Sequence, residues 1–573
     1  MIQNASARVV RDLSGRWRVI VDPYEAGYRG FHGNPWPFGF FRDAEPRPGL
    51  AEYDFDRSEL LEVPGDWNSQ DPKLLYYEGT LWYQTRFRLE EHPGVRRFVH
   101  FGAANYHAMV WLDGEPLGEH EGGFTPFAFE LSGAGAAGEH VLTVKVDNTR
   151  RREAVPTVST DWWNYGGLTR EVSLLEVPET FVREYTIGLD GPGRVRVQVV
   201  LDGPKRRQTV KLRIPEAGLE VSGETGDDGC AELVAEAQLE LWTPARPRRY
   251  RVEITSETDA VAEPVGFCTV QTEGTRILLN DEPIFLRGVS LHEEVPFGPG
   301  RAWSEEHART LLGWAAELGC NFVRLAHYPH NETMVRVAEE LGLLVWAEIP
   351  VYWNIAWDHP PTLDCAKAQL GELIARDRNR CAVILWSLSN EAPATEARQT
   401  FLADLARHAR ALDPTRLLTS ALFARYDDDT RTMVIDDPVG EHLDVMGCNE
   451  YLGWYYREPE EMDRIGWSSP FDKPLIMSEF GAGAVAGRQG DVSTPFTEEY
   501  QAHVYRKQIG MLGRIPFLAG LSPWILKDFR TPRRVLPGIQ DGWNRKGLVS
   551  DRGLRKRAFG VLREWYRELA GQE

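Results

Sequence analysis

From about residue 275 onward the sequence alternates short apolar runs with amphipathic helical segments, and this alternation leaves few folds open. The residues predict strands at Pro283–Val289, Phe322–Leu325, Leu343–Ala347, Val383–Ser387, Leu417–Ala421, Asp444–Gly447, Leu475–Met477 and Leu521–Ile525. Helices are expected between them, the first two over Glu305–Leu318 and Glu332–Leu341. The tripeptide Glu-Leu-Gly occurs at 317–319 and again at 340–342. Each copy marks a helix that ends on a glycine able to take positive φ, just before a buried strand begins. Eight such units in about 300 residues describe a (β/α)8 TIM barrel. A doubly wound open sheet is the competing arrangement, but no glycine-rich phosphate loop follows the first strand.

The residues before this region follow a different pattern. Tyr83–Leu89, Arg97–Phe101, Ala108–Leu112 and His140–Val146 are rich in aromatic and β-branched residues, and Asp113-Gly114 is a strong hairpin signal. They predict a jelly-roll-like β-sandwich over residues 1–178. Arg194–Leu201, Gln208–Ile214, Ala231–Leu239 and Arg249–Thr255 recur at the spacing of a small immunoglobulin-like β-sandwich over residues 179–272, which leaves 273–573 for the barrel.

Composition narrows the partners. Hydrophobic residues at 42% and charged residues at 26% allow large cores. A net charge of −20 argues against a nucleic-acid or anionic-membrane surface, although a few local cations can still bind an anionic small molecule. The 19 Trp add a weak pointer to sugars, since aromatic faces stack on sugar rings as well as filling sandwich cores. The six Cys are scattered, with no CxxC pair, and neither they nor the His residues fall at metal-ligand spacings, so no metal or cofactor is expected. The N-terminus lacks a charged and apolar leader, and no run of about 18 apolar residues occurs, so a cytoplasmic enzyme that does not span a membrane is the expectation.

In a TIM barrel the chemistry sits where each strand passes into its following loop. Here the first strand runs into His292, the second into Arg324, His327 and Tyr328, and the fourth into Asn390-Glu391. The sixth runs into Asn449 and Tyr451, the seventh into Glu479 and the eighth into Trp524. Glu391 and Glu479 each follow a strand with almost no polar relief, and strands four and seven face one another across the barrel mouth. Two such carboxyls are what glycosidic cleavage requires: one protonates the departing oxygen and the other attacks the anomeric carbon. The proton donor needs a raised pKa. Asn390 is placed to donate to the hydroxyl beside the anomeric carbon, and Tyr451 to hold Glu479 ionised. Position alone does not decide which glutamate has which role.

Trp386–Glu391, Asn449–Tyr455, Met477–Gly481 and Asp161–Gly167 closely resemble the corresponding motifs of glycoside hydrolase family 2, and within it the β-glucuronidases. The resemblance spans nearly the whole chain, including the order sandwich, immunoglobulin-like domain, barrel. It implies an exo-acting, retaining hydrolase of a small glycoside or oligosaccharide, with Glu391 as acid/base and Glu479 as nucleophile. It also implies that Asp161 binds sugar hydroxyls, that His327 faces the sugar, that Trp524 is an aromatic platform and that Tyr455 lies near a sugar carboxylate. His292 and Arg324 match the barrel floor, where they bind ligand, orient Glu479 or brace the core. Asn544-Arg545-Lys546 matches the Asn-x-Lys motif that holds the C6 carboxylate of a glucuronide. A lysine and an amide can desolvate a carboxylate, whereas a neutral hydroxymethyl group would leave the lysine unpaired. Members often form dimers or tetramers, so a homo-oligomer fits the resemblance, although the sequence carries no distinct interface signal.

Three features depart from the family pattern. Gln540 stands where some β-glucuronidases have an Arg four residues before the Asn, the loop Arg530–Pro537 is unlike the best-known members, and only Val351–Thr362 joins the third strand to its helix. The first weakens glucuronate relative to galacturonate or a neutral sugar, and the last suggests an open entrance. A β-galactosidase, β-galacturonidase or furanosidase of the same family is therefore the main alternative, and a non-catalytic carbohydrate-binding protein a more distant one.

Overall fold

The structure is a computed structural model, and it describes residues 2–30, 32–35, 53–131 and 137–571. The chain divides into two compact units, one of Met1–Arg150, Asn164–Leu239 and Tyr250–Val265, the other of Arg151–Trp163, Glu240–Arg249 and Gly266–Glu573.

The first unit is all sheet. A six-stranded and a four-stranded antiparallel sheet pack as the jelly-roll-like sandwich, around a core that includes Trp17, Trp67, Leu81, Val99, Val110 and Val144. The strands His107–Leu112 and Glu115–Glu121 form the expected hairpin, with Asp113 at φ +52° and Gly114 at +86°, the two positive values that a tight two-residue turn requires. A three-stranded and a four-stranded antiparallel sheet form the immunoglobulin-like sandwich, and the regular in-and-out burial of Thr209–Ile214 shows a strand with one face in its core.

The second unit is the barrel. Its parallel sheet has nine hydrogen-bonded segments, and Leu286–Arg287 and Ser290–Leu291 are the two halves of one interrupted first strand, so eight strands close on themselves. The first half pairs with Leu518–Leu521 and the second with Phe322–Leu325. Helices Glu305–Leu318 and Glu332–Leu341 have the predicted bounds, and Gly319 (φ +97°) and Gly342 (φ +76°) cap them in the left-handed conformation. Ser304 and Asn331 cap the other ends by accepting backbone N–H bonds.

The eighth strand lies earlier than the sequence predicts, at Leu518–Leu521 rather than Leu521–Ile525. Pro523 has no N–H to give a ladder, while Ala519 and Gly520 carry little strand signal. Gly520 is required by packing: a Cβ there would stand 2.8 Å from the Cβ of Leu286 on the adjoining strand. Among the described residues no helix is long and apolar enough to cross a membrane.

Candidate active site

Parallel strands aim their last side chains at the mouth of the barrel. Glu348, Asn390, Asn449 and Glu479 are each the last residue of their strands, and Arg324 is the last but one of its own. They meet around the guanidinium of Arg324, which is fully buried. Arg324 donates to both oxygens of Glu348 (3.1 and 3.2 Å), to Glu479 Oε1 (2.9 Å), to Asn390 Oδ1 (2.8 Å) and to the carbonyl of Ser478 (3.1 Å). A buried arginine has five N–H groups to satisfy, and this rigid fork of acceptors matches them. The other oxygen of Glu479 accepts from the Tyr451 hydroxyl at 2.6 Å. Arg324 thus orients the carboxylate, whereas His292 bonds Tyr328 and packs against Trp524 and Phe529.

Glu391 is the first residue beyond its strand and holds φ at +49°, a value rare outside glycine. Its Oε2 accepts from the Trp353 indole (2.8 Å) and its Oε1 from the Asn449 amide (2.9 Å). Both donors are neutral, and among the described residues no cation pairs with Glu391, unlike Glu479. The same Asn449 amide reaches Asn390 Oδ1 (3.2 Å), and Ser478 Oγ fixes the amide by donating to Asn449 Oδ1 (2.7 Å). The Asn390 amide nitrogen has no partner among the described residues although it is buried, which leaves a donor at the site.

Burial pushes the Glu479 carboxyl up to about 7; Arg324 and Tyr451 pull it down, and Glu391 pushes it further up. Burial works against ionisation of Glu348 too, but Arg324 and His327 hold it down at about 2. Burial also lowers His327 to about 4, so that its ring is neutral at pH 7. His327 lies 2.8 Å from Glu348 through Nδ1 and stacks on Trp524 with centroids 4.7 Å apart.

Of these groups Glu391, Glu479, Asn449, Tyr451, His327, Trp353 and Trp524 line a cavity of about 350 Å³, at the lower end of small-molecule sites. Its other end is built from loops and from the Arg151–Trp163 segment. Asp161 accepts from Thr531 (2.8 Å), Arg534 (2.7 Å) and Asn544 (3.3 Å). Asn544 Oδ1 in turn accepts from the Lys546 backbone N–H at 3.1 Å. The Lys546 ammonium is only 4% exposed at the residue level, and it donates to the Tyr455 hydroxyl at 2.5 Å. Arg534 donates to the same oxygen at 3.1 Å, so Tyr455 accepts from two cations and keeps its own proton to give. The rings of Tyr451 and Tyr455 stand 4.9 and 4.5 Å from the ammonium, and among the described residues no carboxylate pairs with it.

The structure therefore brings every sequence-predicted site residue to one region. Glu391, Glu479, Asp161, His327, Asn449, Tyr451, Tyr455, Trp524 and Lys546 line the cavity, while Asn390 and Asn544 stand immediately behind it as partners of lining residues. Sequence reasoning missed Tyr352, Trp353, Phe423, Tyr456, Arg533 and Arg534, which also line it. Arg533 and Arg534 lie in the very loop whose departure from the family pattern is plain in the sequence. Trp353 comes from the short connection after the third strand, which so contributes a partner for Glu391.

Comparison with known proteins agrees with this fold. The sugar-binding domain of glycosyl hydrolases family 2 matches residues 29–178, and the TIM barrel domain of the same family matches residues 270–512. The chain belongs to glycoside hydrolase family 2, and it is a glycoside hydrolase. A β-glucuronidase of Paenibacillus borealis is 29% identical, the match covering 98% of this chain and 97% of the relative. Among solved structures, a Ruminococcus gnavus β-glucuronidase is 25% identical with a TM-score of 0.83, covering 97% of both chains. A β-galacturonidase of Eisenbergiella tayi shares the fold at 22% identity and a TM-score of 0.80, covering 97% of this chain and 96% of that one.

Proposed function

We propose that the protein is a retaining exo-β-glucuronidase that removes a terminal glucuronic acid by double displacement, with Glu479 as nucleophile and Glu391 as acid/base. The observation that carries the glycone is Lys546, a buried ammonium without a carboxylate partner among the described residues, in the same cavity as the glutamate pair. A buried cation of this kind is costly unless something pairs with it, and a C6 carboxylate supplies the missing charge. Tyr455 gives its proton to the same group, and Asn544 carries a spare amide hydrogen. Arg534 supports the reading further, since it supplies a guanidinium close to Lys546 in a chain that has Gln540 where some relatives have Arg.

The division of labour follows from the partners. Arg324 pairs with the Glu479 carboxylate, as suits the attacking group, whereas both donors to Glu391 are neutral, and we assign Glu391 as the acid/base. Glu391 protonates the departing oxygen as Glu479 attacks the anomeric carbon. A covalent glycosyl ester forms, and Glu391 then takes a proton from the water that hydrolyses it. Asn390 donates to the hydroxyl beside the anomeric carbon, Asp161 accepts from the far hydroxyls, and His327 and Trp524 make the wall beneath the ring. The chain has three domains in this reading, at residues 1–178, 179–272 and 273–573, and a cytoplasmic placement, which the six free thiols support.

A panel of nitrophenyl glycosides, run on the wild type and on Lys546→Ala, tests the reading. Glucuronide hydrolysis should lead the panel and collapse in the variant, while any hydrolysis of the matching neutral glucoside stays. Equal losses on both would remove the carboxylate role, and a galacturonide that outruns the glucuronide would move the assignment to that sugar.

A further inference from the structure

The departing group leaves from the oxygen that Glu391 protonates, so it meets the residues around Glu391 first. Trp353 donates its indole N–H to Glu391 Oε2 at 2.8 Å and its backbone N–H to the carbonyl of Asn390 at 2.9 Å. These bonds hold Trp353 at φ +55°, a left-handed value that a tryptophan adopts only when its surroundings impose it. At the other carboxyl oxygen, the Asn449 amide leads to Phe423, the register partner of Asn449 on the adjoining strand. Phe423 is the last residue of its strand and is 52% exposed, although it is large and apolar. Both rings line the sugar cavity.

One cation joins them. Arg533 lies over the Trp353 ring, 4.8 Å from its centroid, and donates to Ser159 Oγ at 2.8 Å. Among the described residues no carboxylate pairs with Arg533, whereas its neighbour Arg534 is paired with Asp161. A guanidinium stacked on an aromatic face keeps its in-plane N–H groups for a bidentate partner, and the hydroxyl of Ser159 is neutral. In a chain of net charge −20, an unpaired cation on a cavity wall is a local exception that an anionic group can use.

We propose that Trp353, Phe423 and Arg533 form the subsite for the departing group, and that it selects a flat aromatic aglycone carrying a carboxylate. The proposal rests on the uronate reading above and names the other half of the substrate. Trp353 and Phe423 supply apolar surface for the aglycone ring, and Arg533 pairs with its carboxylate. The two anionic groups of such a substrate have separate cations: Lys546 takes the one on the glycone and Arg533 the one on the aglycone. Arg533 is exposed, so its pair is screened by salt and gives a preference among aglycones, not an absolute requirement. Arg533 is thereby a specificity-determining residue and takes no part in proton transfer. A role confined to bracing Trp353 would act through Glu391 on every substrate alike.

The probes are 4-carboxyphenyl β-glucuronide and 4-carbamoylphenyl β-glucuronide, which match in shape and differ by one charge. The amide is the better leaving group, so intrinsic reactivity runs against the expected preference. At low salt the wild type should favour the carboxyphenyl probe in kcat/KM by about threefold, and the preference should fade in about 0.5 M salt. Arg533→Gln should lose about fivefold more on the carboxyphenyl probe than on the carbamoylphenyl one. Phe423→Ala should lose about fivefold more on both aryl probes than on methyl β-glucuronide. A wild type that favours the amide at low salt, or an Arg533→Gln loss equal on the two probes, overturns the carboxylate assignment. A Phe423→Ala loss that is no greater on the aryl probes overturns the aromatic one. If neither aryl glucuronide is cleaved, the uronate reading itself fails, which is distinct from cleavage without a charge preference. The wild-type salt dependence decides the matter even if a variant does not fold.

Discussion

The two ends of the sugar cavity are built on opposite principles. At the anomeric end Arg324, Glu348, Asn390, Asn449 and Glu479 stand on barrel strands, and every hydrogen of the central guanidinium is matched by an acceptor. At the far end Asp161, Arg534, Asn544 and Lys546 come from loops or from a two-residue strand, and among the described residues no carboxylate pairs with the buried ammonium. Strand ends are held by the barrel ladder, so the bond-breaking geometry is preorganised before substrate arrives. Loops vary without disturbing that ladder, so the choice of sugar can change while the chemistry stays. The incomplete pairing at Lys546 is a demand on the ligand, and the complete pairing at Arg324 is a demand on the protein alone.

Substitutions separate the two ends. Glu479→Ala should cost on the order of 10⁵-fold in kcat on every glycoside the enzyme accepts, as expected when a covalent nucleophile is lost. Glu391→Ala should cost about 10³-fold on alkyl glucuronides and much less on nitrophenyl ones, whose leaving groups need little protonation. Steady-state rates on matched pairs of substrates check both, and a Glu391→Ala loss independent of leaving group would break its assignment as the acid. Lys546→Ala should cost about 100-fold in kcat/KM on the glucuronide, equivalent to about 2.7 kcal/mol for a buried charge pair cut on one side, with little change on the neutral analogue.

Subtler tests concern protons. Glu479 attacks only when ionised, and its carboxyl is pushed up to about 7, so kcat/KM should fall as pH drops below about 7. Tyr451→Phe removes a donor that favours the carboxylate, and the acid limb should move upward by about one pH unit, since a hydrogen bond to a charged group contributes about 1.5 kcal/mol or more. A limb that stays or moves down would remove Tyr451 from that role. The smallest effect is on stability. Glu348 is held at about 2, below its ordinary 4.5, so the stabilisation it gives is present above about 4.5 and is lost as pH falls toward 2. His327 is held at about 4, below 6.5, so the unfolded chain takes up this proton first, and stability falls from about pH 6.5 downward. Thermal midpoints should decline between pH 7 and pH 4, and a flat profile would speak against both.

The same contrast explains what was legible in the sequence. Helices at Glu305–Leu318 and Glu332–Leu341 announce themselves through periodicity and a terminal glycine, both local properties. Strand-end residues such as Asn390, Asn449 and Glu479 are legible for the same reason, because the fold turns a position along the chain into a position at the mouth. Trp353 and Arg534 were not legible. Their partners lie 38 and 373 residues away, at Glu391 and Asp161, and nothing in the neighbouring residues of a loop encodes where it folds back. The eighth strand was displaced because Ala519-Gly520 is chosen for close approach to Leu286 and not for strand propensity.

The most direct test of the mechanism is to incubate the enzyme with a 2-fluoro-glucuronyl donor bearing a good leaving group and to map the labelled peptide by mass spectrometry. The account predicts one covalent 2-fluoro-glucuronyl ester, carried on Glu479. Rapid hydrolysis of natural-type glucuronides together with an adduct on another residue, or with no adduct and an inverted product anomer, would contradict it.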